Sequence, residues 1–428
     1  MNFSRRDFGK FALGSIPVAS AMLANPHRLF AAGGPNSLIA GVQVGVITYS
    51  FRSMPYQTAE ATLSYICEAG LSATELMGDP VEAWAREKTG FTPSNAGGGR
   101  GGFGGFGGGR GGGGRGPGGA GAPGGAPAAA AAPADTRSWN GQPCPAGRGG
   151  GGPGGPGRAA GAAGGLGGPG GSVVAGVSGA PGAAAAAGGP GGPGAPGGGG
   201  GGRGAQTPEQ IAAADELRKW REGQSMDIYK DLKKLYNDAG VSIYAVKNLQ
   251  VNGTDEDLDF QFTVGKTLGA SHLTAELPSG PDAPATLKRV GDFALKHGMF
   301  AAYHTHLQGS ITAFDDAFAA SKGNKANIDF GHYVAAGEIG GTPMDFLNKF
   351  HDRVASFHLK DRTKPEHCEL NLAWGMGETP IKEILRLVRD NKWPIPATIE
   401  LEYEIPEGSD AVKETAKCLQ YCKDALTT

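Results

Sequence analysis

Ionisable residues recur at the ends of apolar runs in the C-terminal half of the chain. One run closes on Ala275-Glu276-Leu277 and the next on Tyr303-His304-Thr305-His306. Three more close on Asp329-Phe330-Gly331-His332, Phe357-His358-Leu359-Lys360-Asp361 and Ile399-Glu400-Leu401-Glu402-Tyr403. Charged groups are seldom buried without partners, so such ends meeting at one place point to a shared cation. Glu276, Asp329, His358 and one of Glu400 and Glu402 are the candidate ligands. Alternation puts Glu400 and Glu402 on one face, and Glu400 is preferred because it directly follows the apolar core of its run. A carboxylate-rich set with one imidazole suits one divalent ion, Mn first, with Mg, Co or Zn as alternatives. His304 or His306 alone reads as structural. His272, His297, His351 and His367 read as surface or loosely packed side chains.

Strand patterns over 42–49, 71–76, 241–246, 271–277, 299–304, 327–330, 354–359 and 397–403 must position these groups. Helix patterns lie between them, at 58–69, 207–239 with a break near Gly223, 255–268, 282–297, 311–320, 342–350 and 380–391, and a last one at 409–426 closes the chain. Alternating strand–helix units predict an α/β fold with a parallel sheet, and eight of them predict a closed (β/α)8 TIM barrel. Functional side chains then sit at the C-terminal mouth. No Gly-x-Gly-x-x-Gly follows the first strand, which removes support for a dinucleotide fold. Ala373-Trp374-Gly375-Met376-Gly377 reads as a turn.

Residues 96–206 hold 51 of the 77 glycines, with Ala and Pro making up most of the rest. This stretch is too poor in large apolar side chains to offset the entropy of ordering it. It reads as a disordered insertion after strand 2, ahead of the second helix and on the mouth face. Without it and the N-terminal segment, roughly 280 residues remain, the size of one barrel. The domain organisation is therefore 1–32 as a signal segment, 40–95 and 207–428 as the barrel, and 96–206 as the insertion.

The insertion carries Arg100, Arg110, Arg115, Arg137, Arg148, Arg158 and Arg203 against Asp135, and the N-terminus is basic too. The formal total of −2 thus leaves the barrel acidic, at about −11. Such a surface repels phosphate backbones, which argues against nucleic acid as a partner. A homo-oligomer is compatible with the sequence.

Ser4-Arg5-Arg6-Asp7-Phe8-Gly9-Lys10, an apolar run over 11–24 and small residues near Ala31 match a twin-arginine signal. The run is short for a bilayer. Export by that route to a periplasmic or extracytoplasmic location is expected, with no stable membrane insertion after signal removal. The five cysteines, Cys67, Cys144, Cys368, Cys418 and Cys422, form no CxxC and allow one bridge in an oxidising compartment. Cys418 and Cys422 fall on one helix face, where burial explains them.

The order Glu…Tyr-His-x-His…Asp-x-Gly-His…His-x-Lys-Asp…Glu-x-Glu-Tyr resembles the xylose isomerase-like TIM-barrel sugar phosphate isomerases and epimerases, over residues 42–95 and 207–428. The resemblance implies Glu276, Asp329, His358 and Glu400 as metal ligands, and His304, His332 and Lys360 as substrate-facing residues. The family's Tyr-His-Asn-His reads Tyr-His-Thr-His here, a departure that bears on substrate identity. The expected activity is that of a metal-dependent sugar isomerase or epimerase. It would abstract a proton beside a metal-held carbonyl, through an enediolate, with Glu276, Glu400 and His306 as candidate catalytic groups. A metal-dependent lyase or hydratase acting on 3-keto-glycosides would share that first step. An AP-endonuclease-like nuclease fits the acidic charge poorly, and a non-catalytic carbohydrate-binding barrel is the remaining alternative.

Overall fold

The computed structural model describes residues 34–92, 137–144 and 207–428. The paired-arginine segment and most of the Gly-rich insertion lie outside the described residues. Eight parallel strands form the barrel: β1 Val42–Ile47, β2 Ala73–Met77, β3 Ser242–Lys247, β4 His272–Glu276, β5 Phe300–His304, β6 Asn324–Asp329, β7 Val354–Leu359 and β8 Ala397–Ile399. Each pairs with the next, and β8 returns to β1 with Ala397 opposite Val44, so the sheet closes. Strands covered on both faces are almost continuously apolar. For that reason the sparse polar residues within them carry information.

The helices wrap the barrel and are set by local chemistry. In order they are α1 Ala59–Glu68, α2 Gly78–Thr89, α3 Pro208–Glu222, α4 Asp227–Asp238, α5 Asp255–Leu268, α6 Ala283–Lys296, α7 Asp315–Ala320, α8 Phe330–Ala335, α9 Pro343–Phe350, α10 Ile381–Asp390 and α11 Ala411–Thr427. Thr254 with Asp257, and Thr342 with Asp345, make reciprocal capping boxes that start α5 and α9. Cys418 and Cys422 are buried on α11. Among the described residues no helix is long and apolar enough to cross a membrane.

Several expectations change. α2 follows β2 directly, so the insertion comes after that helix rather than before it. Phe91 stacks on Trp220 with ring centroids 4.5 Å apart, which holds the two sides of the insertion together. The insertion also contains structure: Ser138–Trp139 and Gln142–Pro143 form a two-stranded ladder. α8 was not expected, because it begins on the residue after β6 with no turn between them. The last barrel strand ends at Ile399, so Glu400 and Glu402 stand beyond it.

Candidate metal centre and active site

His304 ends β5, Asp329 ends β6, His358 lies in β7 and Glu400 follows β8. Each is buried and offers a donor atom, and the four donor atoms lie within 4.8 Å of one another. Asp329 does two jobs. Its Oδ1 accepts the His332 amide at 2.7 Å and caps α8, which turns Oδ2 toward the other donors. Oδ2 is buried and accepts no hydrogen bond, although Lys360 Nζ stands 3.0 Å away. Gly331 permits this arrangement: a Cβ there would come within 2.6 Å of the Lys360 carbonyl oxygen.

His358 is held between two carboxylates, with Nδ1 2.8 Å from Glu400 Oε2 and Nε2 2.7 Å from Glu75 Oε2. Glu75 is fully buried in β2 and also accepts Thr274 Oγ1 at 2.6 Å and Asn327 Nδ2 at 3.2 Å. Burial alone would raise the Glu75 carboxyl, but His358 and then Lys247 outweigh it and hold it down at about 2. Burial would likewise depress the His358 imidazole, and Glu75 and Glu400 instead push it up to about 10. Burial raises the Asp329 carboxyl to about 6, against the pull of Lys360.

Lys360 is the hub on the acidic side. Its ammonium lies 2.7 Å from Glu402 Oε2 and 3.0 Å from both Asp329 Oδ2 and Glu400 Oε2. Burial would lower it, and these carboxylates hold it above its ordinary range. His332 Nε2 stands 3.1 Å from the same ammonium, while its Nδ1 accepts from Arg362 Nη1 at 2.6 Å. Burial, Lys360 and Arg362 all keep the His332 imidazole neutral.

Three of the expected ligands, Asp329, His358 and Glu400, therefore converge, and the fourth member of the group is His304 rather than Glu276. The two are neighbours, paired across β4 and β5. Glu276 ends β4 at the rim, where Lys247 Nζ holds its Oε1 at 3.0 Å and His306 Nδ1 lies 3.3 Å from Oε2. In this structure it thus stands outside the convergent group. Glu402 sits on Lys360, which separates it from Glu400. His306 is half-exposed beside Glu276.

A second cluster, His304, His306 and His332, also brings three nitrogens within 4.8 Å. His304 Nδ1 faces Asn327 Oδ1 at 3.2 Å, which leaves one ring nitrogen to serve one ion. The group with Asp329 and Glu400 offers two anionic donors that this trio of imidazoles lacks, so it is the better cation site.

Two carboxylates, two imidazoles and an unpartnered carboxylate oxygen fit a divalent ion of the transition series or Mg. Glu75 supplies what such a site needs behind a histidine ligand: a carboxylate on the far ring nitrogen that fixes the ring and raises its basicity.

Glu75, Lys247 and Arg362 were not anticipated. The signal for Glu75 was a carboxylate in the middle of a short, otherwise unbroken strand. His272, expected near the surface, is fully buried in the barrel, with Nε2 2.9 Å from Ser356 Oγ. The turn at 373–377 is as expected: Asp361 accepts the amides of Gly375, Gly377 and Thr379, at 2.7, 2.9 and 3.1 Å.

Residues 266–422 match the family model described as Xylose isomerase-like TIM barrel. No curated protein matches the chain. Among solved structures, a sugar phosphate isomerase/epimerase from Parabacteroides distasonis is similar at 13% identity, over 91% of this chain and 96% of that one, with a TM-score of 0.44. A probable 3-DHS dehydratase, AsbF, from Bacillus anthracis is similar at 10% identity, over 88% and 97%, with a TM-score of 0.44. A xylose isomerase-like TIM barrel protein from Mycobacterium smegmatis in complex with magnesium is similar at 17% identity, over 48% and 80%, with a TM-score of 0.36.

Proposed function

We propose that the barrel mouth binds one divalent cation through His304, Asp329, His358 and Glu400, and that the protein is a sugar isomerase or epimerase. The observation that carries this reading is the meeting of four buried donor atoms within 4.8 Å at the ends of neighbouring strands. Mn is the preferred ion. When bound, the cation supplies Lewis-acid polarisation of a substrate carbonyl and so acidifies the adjacent C–H.

The chain's own groups do the rest. Glu276, left outside the ligand set, keeps Oε2 without a hydrogen bond at the mouth and takes the proton. For an isomerase, His306, 3.3 Å from that oxygen and half-exposed, returns a proton to the neighbouring carbon while the hydroxyl proton of the first carbon passes to the former carbonyl oxygen; for an epimerase, the proton returns to the same carbon on its other face. Lys247 keeps the Glu276 carboxylate in place. Glu402 and His332, either side of Lys360, face the substrate's oxygens.

The elimination reading shares the proton abstraction. One observation favours it: the Cys144–Cys368 disulfide belongs in an oxidising compartment, where free sugar phosphates are scarce. The disulfide also supports export to an oxidising compartment, and the paired arginines suggest the twin-arginine route for it.

The test combines metal analysis with solvent deuterium exchange into a panel of keto- and aldo-sugars. Asp329→Ala and His358→Ala should lose the ion. Glu276→Gln should keep it and lose exchange by orders of magnitude. Full occupancy in the first two variants would sink the ligand assignment. Undiminished exchange in metal-loaded Glu276→Gln would move the base elsewhere. An isomer as product identifies an isomerase, and an unsaturated keto-sugar identifies a lyase.

A further inference from the structure

We propose that the Cys144–Cys368 disulfide is a redox-controlled strap that fixes one wall of the mouth by holding Arg362 against His332. The importance of that wall rests on the function proposed above. The mechanical linkage does not.

The strap begins with a hairpin in the insertion. Asn140 and Gly141 take left-handed conformations, with φ +49° and +76°, the pair a two-residue hairpin turn requires. The hairpin then docks on the loop after β7. Arg137 Nη1 donates to the Pro365 carbonyl at 2.9 Å, the Trp139 ring lies 5.1 Å from that of His367, and Cys144 is bonded to Cys368.

The docked loop is a tight one. Thr363 Oγ1 donates to the His367 carbonyl at 2.6 Å and accepts the Leu370 amide at 2.7 Å. Cys368 and Glu369 are consecutive non-glycine residues with φ +77° and +53°. Such conformations cost energy and persist only where the surroundings impose them. At the second of them, the Glu369 carbonyl accepts Arg362 Nη2 at 2.5 Å, while Nη1 of the same guanidinium holds His332 Nδ1. A continuous line therefore runs from the disulfide through the left-handed pair to Arg362 and His332.

Cys368 is almost fully buried and Cys144 is partly open, so a thiolate reaches the bond from the hairpin side. A dithiol reductant supplies two electrons and two protons and leaves as its own disulfide; the S–S bond breaks to two thiols. The left-handed pair then loses a restraint, and the Glu369 carbonyl loosens its hold on Arg362.

The experiment is amide hydrogen exchange on the full-length chain, oxidised, treated with dithiothreitol, and as Cys144→Ser. Reduction and Cys144→Ser should each speed exchange in residues 361–372 and in α8 by at least tenfold, and leave α1 and α10 unchanged. The Cys144 side chain lies on the hairpin, outside the barrel, so the variant should fold. Trp139→Ala, which keeps the bond, should exchange like the oxidised protein. Unchanged exchange on reduction would overturn the proposal. So would acceleration spread evenly over the barrel, equal acceleration in Trp139→Ala, or five free thiols in the oxidised chain after denaturation. None of these readouts uses metal or substrate, so the failure of the proposed function would appear separately, in the metal analysis.

Discussion

Glu75 Oε2 lies 2.7 Å from His358 Nε2, across 283 residues of sequence that include the whole insertion. The bond joins the middle of β2 to the proposed cation site. Nδ1, which faces Glu400 Oε2 at 2.8 Å, is then the nitrogen that would meet the ion. Removing an outer carboxylate of this kind commonly weakens metal affinity 10–100-fold. Glu75→Gln keeps the shape and removes the charge, so it should weaken Mn binding by about 10–100-fold in calorimetry. An unchanged affinity would show that Glu75 serves the fold alone.

His272 makes a different prediction, on stability. Burial lowers its imidazole from 6.5 to about 4, with Glu75 opposing and Lys325 adding to the effect. Above pH 6.5 the ring is neutral in both folded and unfolded chains and contributes no pH dependence. As pH falls from 6.5 toward 4, the unfolded chain takes up the proton first and stability is lost. The shift corresponds to roughly 3 kcal/mol across that window. Urea midpoints for His272→Gln should therefore fall less steeply between pH 6.5 and 4 than those of the parent. Parallel slopes would contradict a neutral buried His272.

Much of the barrel was legible because interior parallel strands read as short apolar runs, and their polar ends announced the mouth. The convergence of Asp329, His358 and Glu400 was legible that way. The resemblance implies His304 as facing substrate, and spacing cannot say which of the two register neighbours, Glu276 and His304, turns toward the other donors. Glu75 could not be assigned, because its partners come from β4, β6 and β7. α2 went unread because it opens on Gly78, Asp79 and Pro80, which are poor helix formers, and α8 because a strand leads straight into it. The Asn140-Gly141 hairpin signal was passed over because it lies within a segment read as disordered from its overall composition.

Export is the third prediction. The paired arginines lie outside the described residues, and the proposal rests on their pattern and on the disulfide. Replacing Arg5 and Arg6 with Lys should keep the protein in the cytoplasm, as fractionation would show, and there Cys144 and Cys368 should be reduced. Unchanged delivery across the membrane would rule out the twin-arginine route.

Gly331 carries the last prediction. α8 starts against the end of β7, and there is no room for a side chain at its second residue. An added Cβ would press on the Lys360 side chain and come within 2.6 Å of its carbonyl oxygen, closer than real Cβ contacts allow. Backbone cannot yield as a flexible side-chain tip does, so α8 must move away from β7. Overpacking of this kind costs about 1–3 kcal/mol. The displacement has a second effect, because α8 is capped by Asp329, whose other oxygen belongs to the proposed cation site. Gly331→Ala should therefore lower the melting temperature and weaken Mn binding together. Gly298→Ala is the control: its Cβ would meet nothing within 4 Å, and its φ of +67° makes it strained but remote from the mouth. That variant should lose stability and keep its affinity for the ion. If Gly331→Ala loses stability alone, the close approach of α8 to β7 serves packing and does not aim Asp329.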